Sequence, residues 1–166
     1  MQAKIDIPSV QVPVLLYCAW NARDLLGAWQ HCLYDRHAWM VLLIWSLPVV
    51  MARLNPDRRT ASGKTQAIYT AAGLLCSFTG GIGSLNLLQY AGLALALACW
   101  IPFSRMQLLW LLSSLSWMPA LGWIGSRFFL DHVLVVRLML SVMTSGLLIY
   151  HTATRKRYPG CMATTK

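Results

Sequence analysis

Charged side chains divide this chain into long apolar runs. Between Lys64 and Arg105 forty residues pass without one. A single helix of that length, rising about 1.5 Å per residue, would be about 60 Å long, twice the ~30 Å hydrocarbon core of a bilayer. Near its midpoint stands Gly80-Gly81-Ile82-Gly83-Ser84-Leu85-Asn86, where a turn is cheaper than continued helix. The pattern therefore predicts a hairpin of two spans, over residues 66–82 and 85–103. Three more follow from the same reasoning: a Trp-rich run over 37–53 interrupted by Pro48, a run over 106–125 bent at Pro119, and a last one over 128–150 that contains Arg137. Residues 7–21 hold a short apolar stretch with Pro13 and read either as a sixth, short span or as a re-entrant segment. The expectation is an all-α, polytopic transmembrane bundle of five or six spans, one integral membrane domain over residues 1–166, with 151–166 as a basic cytoplasmic tail.

Composition agrees with this reading. The chain is 57% hydrophobic and 11% charged and has no glutamate, against roughly 25% charged residues in soluble domains. Its net charge of +9 would suggest nucleic acid, but the basic residues follow the positive-inside pattern. If the loop with Arg53, Arg58, Arg59 and Lys64 is cytoplasmic, alternating spans bring Arg105, Arg155, Lys156, Arg157 and Lys166 to the same side. Arg23, Arg36 and Arg127 then fall outside, balanced by Asp24, Asp35 and Asp131. The charge is a topology signal, and the basic patch interleaved with aromatics that single-strand binding uses is missing. The expected partner is the lipid bilayer, not nucleic acid, and the expected location is the inner (cytoplasmic) membrane. Lys4 with Asp6 beside it and no small-residue cleavage site argue that the N-terminal segment is retained.

Little in the sequence points to chemistry. Cys18, Cys32, Cys76, Cys99 and Cys161 form no CxxC pair and no cluster at metal-ligand spacing, so no metal or cofactor is expected. Cys76 and Cys99, inside predicted spans, read as small packing residues. Cys32 stands between His31 and Arg36, groups able to favour a thiolate, and is the weak catalytic candidate. The other polar residues of the outer face are Asp35, His37, Arg127, Asp131 and His132; Arg127 and Asp131, four apart, predict a surface ion pair on one helix. Arg137 lies inside the last span, where a charge costs at least about 2.5–3.5 kcal/mol. Two readings compete for it: a buried pair with an acid from the Asp24 or Asp35 region, or snorkelling toward the level of Asp131. Gly73 with Ser77, and Gly92 with Ala96, are spaced to let helices approach closely. Arg137, Asn86, Gln89, Ser113, Ser114 and Ser116 are the residues that would line a transport path. No GxSxG, HExxH, P-loop or paired helical carboxylates occur.

The segment Tyr34-Asp35-Arg36-His37-Ala38-Trp39-Met40 and the apolar run that follows it resemble the start of exosortase and archaeosortase membrane proteins, whose Tyr-Ser-His-Gly-like motif precedes the first firm helix. Leu88-Gln89-Tyr90-Ala91-Gly92-Leu93-Ala94-Leu95-Ala96, then Leu109-Trp110 through Trp117-Met118-Pro119-Ala120-Leu121-Gly122-Trp123, are similar to that family's paired helices with a Pro-containing exit. The resemblance covers roughly residues 30–148. It implies a relative of membrane enzymes that cleave C-terminal sorting signals of secreted proteins with a cysteine, an arginine and a histidine. Their Ala-Cys-Ser-Gly-like nucleophile motif has no match here, since Cys76-Ser77-Phe78-Thr79-Gly80 has the wrong spacing and lies upstream of the matching helices. His37 alone carries over, as the histidine of the early motif. The resemblance thus implies the N-terminal part of such an enzyme, truncated, split or non-catalytic. With a missing half it would be a cysteine peptidase or transpeptidase; by itself the chain is expected to be inactive. The alternatives are a non-catalytic scaffold or partner of another membrane subunit, and a small transporter component.

Overall fold

The computed structural model describes residues 7–33, 35–54, 63–101, 104–119, 121–129 and 132–157. Among them every regular element is helical: α1 (Ile7–Asn21), α2 (Asp24–His31), α3 (Ala38–Leu54), α4 (Gly63–Ile82), α5 (Asn86–Ala98), α6 (Arg105–Leu112), a 3-10 turn (Ser113–Ser116), α7 (Leu121–Phe129) and α8 (Val133–Arg157). The all-α expectation holds.

The hairpin predicted from the charge-free run forms as α4 and α5, but its glycines do a different job from the one expected. The residue with a left-handed backbone at the turn is Ser84, at φ 52°. Around it the Leu85 N–H reaches back to the Gly80 carbonyl at 2.9 Å, the capping pattern that usually takes glycine. Gly73, Gly80 and Gly92 instead let the two helices touch backbone to backbone. A Cβ on Gly92 would stand 2.8 Å from the Gly73 carbonyl and the Ser77 nitrogen, and one on Gly80 would stand 2.8 Å from the Gln89 nitrogen.

Three expected spans have different limits in the structure. Residues 85–103 give only the thirteen-residue α5, since Pro102 cannot continue a helix; Ser104 then caps α6 by accepting from the Gln107 N–H at 3.1 Å. Residues 106–125 are broken into α6, the 3-10 turn and α7 about Pro119. Residues 128–150 become the end of α7 and a longer α8, which continues through Arg157 into the expected tail. Helix α2 is an additional element, not expected as a helix.

Side-chain contacts fix the direction of each helix. Cys18 and Asn21 of α1 meet Gly73 and Ser77 of α4 in the same order, so α1 and α4 are parallel. Ser113 meets Thr144 and Ser116 meets Ser141 in opposite order, so the α6 segment and α8 are antiparallel. Arg137 near the start of α8 bonds Asp35, which precedes α3, so α3 and α8 start at one end. The chain thus traverses the bundle alternately through α1, α3, α4, α5, the α6 segment and α8. One end gathers Arg23, Asp24, His31, Asp35, Arg36, His37 and Arg127; the other gathers Lys64, Arg105 and the end of α8. Among the described residues one helix, over Val133–Ala153, is by itself long and apolar enough to cross a membrane, while Ala38–Ala52 and Asn86–Ala98 are apolar but shorter. Five or six spans therefore do not follow from the described helices alone. Helix α5 is the enclosed centre: from Leu88 to the end of the helix no residue is exposed.

Candidate functional site at the Asp35 end

Where α2 ends, Cys32 N–H closes the last turn on the Ala28 carbonyl at 3.1 Å. Asp35 N–H then bonds the Cys32 carbonyl at 3.1 Å, and Ala38 N–H bonds the Asp35 carbonyl at 2.9 Å, opening α3. This pair of turns sends the Asp35 side chain inward. It meets Arg137 with Nη1 2.7 Å from Oδ1, both side chains nearly fully buried, at 6% and 2% exposure for Arg137 and Asp35. The second guanidinium nitrogen, Nη2, donates to the Met118 carbonyl at 3.0 Å. Arg137 is therefore the paired, buried arginine, with Asp35 as its acid; Asp24 is exposed and lies beside Arg23. The guanidinium ties together the turn before α3, the end of the 3-10 segment and the start of α8.

Tryptophans build the wall of this end. Trp29 donates its indole N–H to the Trp117 carbonyl at 3.2 Å. Trp117 lies tilted against Trp45, with ring centroids 5.7 Å apart, and Trp45 stacks on Trp110. The sequence showed a Trp-rich run but singled out none of these rings; no motif spacing pairs positions 45 and 110.

The remaining candidates lie apart from the ion pair. His31, Cys32 and Arg36 line one open surface depression of about 570 Å³, together with Leu26, Leu33 and Trp39. His31 and Arg36 are exposed and Cys32 is half-buried. His37 is exposed on the turn before α3, and His132 is exposed just before α8. Arg127 is exposed on α7, over Leu121–Phe129; Asp131, its expected partner, lies outside the described residues. Among the described residues no group of three metal-ligating side chains comes together.

Of the polar residues that would line a transport path, Gln89, Ser113, Ser116 and Arg137 are used in packing, while Asn86 is exposed. Ser113 and Ser116 bond Thr144 and Ser141 at 2.9 Å each. Gln89 donates to the Gly80 carbonyl at 3.2 Å. Gln107, fully buried, donates to the carbonyls of Ala98 and Ile101 at 3.1 and 3.2 Å, satisfying acceptors left open by the end of α5.

No family model, curated protein or solved structure matches the chain.

Proposed function

We propose that this chain is a multi-pass scaffold of a bacterial inner membrane, crossing it six times through α1, α3, α4, α5, the α6 segment and α8, and built like the N-terminal framework of an exosortase without its nucleophile. The buried Arg137–Asp35 pair carries the reading. A guanidinium inside a helix long and apolar enough to cross a membrane is retained only where it is paired and useful. Here its bonds go to a carboxylate and a main-chain carbonyl of the protein's own frame. The charge is used to hold three segments together.

Two features support a lipid environment. Large apolar side chains such as Leu16, Leu43, Phe128, Met139 and Met143 stand exposed around the body, far beyond the scattered ones normal on a soluble protein. The thirteen-residue α5 is also sheltered. The backbone of α5 is enclosed by its neighbours, and a helix enclosed by protein need not match the bilayer thickness. The partners of such a scaffold are another membrane subunit or the C-terminal sorting signal of a secreted protein, and the chemistry belongs to the partner. Engagement of Ser113, Ser116 and Gln89 in interhelical bonds favours the scaffold over a transport path.

Alkaline washing of membranes from expressing cells tests the reading. The chain stays in the pellet if it is integral; release into the supernatant overturns the proposal. A second reading, cysteine chemistry at the outer face, rests on His31, Cys32 and Arg36 sharing one depression. It predicts an activity lost in Cys32→Ser and kept when Cys18, Cys76, Cys99 or Cys161 is replaced.

A further inference from the structure

The depression at the Asp35 end has a chemistry that the scaffold reading leaves unused. Arg36 is adjacent in sequence to Asp35, yet that carboxylate is turned inward and bound to Arg137. Among the described residues Arg36 has no ion-pair partner. It is an exposed cation on the wall of an open depression whose second basic group is His31 and whose remaining lining is Leu26, Trp29, Gln30, Cys32, Leu33 and Trp39.

The apolar wall does not stop at the cavity. Trp39, Leu43, Leu47 and Val50 follow the spacing of one helix face and are 47%, 58%, 46% and 47% exposed, while Ala38, Val41, Trp45 and Val49 fill the opposite, buried face. From Trp39 to Val50 the stripe is about 16 Å long at the helical rise. That is close to half of the ~30 Å hydrocarbon core, the depth of one leaflet.

We propose that this depression binds the phosphate headgroup of an anionic phospholipid, with Arg36 and His31 on the phosphate and one acyl chain lying along Trp39, Leu43, Leu47 and Val50. The inference rests on the membrane reading above. A cation that donates hydrogen bonds as a planar fork suits a phosphate. An apolar stripe one leaflet long, starting at that cation, suits a chain attached to the phosphate better than a free anion, and Trp39 sits where the headgroup and chain regions meet.

Cys32, in the same depression, reports occupancy. The full chain in neutral detergent is alkylated with a maleimide, and modification at Cys32 and at half-buried Cys76 is followed by mass spectrometry while phosphatidylglycerol, phosphatidylcholine or inorganic phosphate is added. Phosphatidylglycerol should slow alkylation of Cys32 but not of Cys76, and Arg36→Gln should weaken that protection roughly tenfold, the loss expected for a charge-assisted bond. A phosphatidylglycerol with acyl chains too short to follow the stripe should protect less. Arg36 is exposed, so an unchanged melting temperature of Arg36→Gln keeps the comparison clean. Equal protection by phosphatidylcholine, protection by inorganic phosphate alone, or indifference to Arg36→Gln overturns the lipid site. Such a failure in a chain that resists alkaline washing leaves the scaffold reading standing, whereas release on washing removes both.

Discussion

Trp45 and Trp110 bond each other twice. The Trp45 indole N–H donates to the Trp110 carbonyl at 2.8 Å and the Trp110 indole donates to the Trp45 carbonyl at 2.9 Å. Their rings stack 4.0 Å apart and 6° from parallel. The Trp110 carbonyl also accepts from the Ser113 hydroxyl at 2.6 Å, and the pair joins α3 to α6 by main chain, side chain and ring face together. Trp45→Phe or Trp110→Phe should each cost about 1–3 kcal/mol, because a buried acceptor loses its donor while the neighbouring ring is repacked. The double variant should cost less than the sum. Unfolding of the purified protein in detergent measures all three.

Arg137→Leu should destabilise the bundle by about 3–5 kcal/mol, since it leaves Asp35 buried without its partner. Replacing both residues by leucine should restore most of that loss. Equal damage in the single and double variants would mean that the guanidinium matters through the Met118 carbonyl instead.

Gly92→Val should separate α4 from α5, because its Cβ has no room before the Gly73 carbonyl and the Ser77 nitrogen; overpacking of this kind costs about 1–3 kcal/mol or more. Gly27→Ala is the counterpart. A Cβ there meets nothing within 4 Å, and removing a helical glycine should stabilise by about 0.5–1 kcal/mol. Melting temperatures of the two variants should move in opposite directions.

The two ends of the bundle should face opposite compartments. With intact cells, an impermeant thiol reagent should reach Cys32 and should not reach Cys161 or a cysteine placed at Ser62. Labelling of Cys161 or Ser62→Cys from outside would mean a miscounted traverse.

The parts of this fold legible in the sequence are those decided locally. Absence of charge over residues 65–104 announced the hairpin, and small residues four apart announced close helix packing, though not that Gly73 and Gly92 face each other. The burden of a charge in an apolar helix marked Arg137 as either paired with an acid or snorkelling, and the choice between them was not legible. Which acid was not legible, because the choice of Asp35 over Asp24 depends on the two turns from Cys32 to Ala38 that aim one carboxylate inward. Glycine richness at residues 80–83 suggested a glycine turn, yet close packing consumed Gly80 and the strained position fell to Ser84. Pro119 marked a bend, but the break into α6, a 3-10 turn and α7 lets Trp110 and Trp117 fill the centre, and no local propensity records that packing. The shared depression at His31, Cys32 and Arg36 was legible as a run of neighbours; the apolar stripe leading away from it was visible only once the buried face of α3 was known.

The partners of the buried ion pair are separated by 102 positions in the chain. During synthesis Asp35 is therefore made long before the arginine that neutralises it, and every intermediate lacking α8 holds an acid with no counter-charge. Delivery of the final helix completes the charge balance as well as the packing. A chain cut before Arg137 therefore leaves Asp35 without the cation that it bonds in the finished bundle.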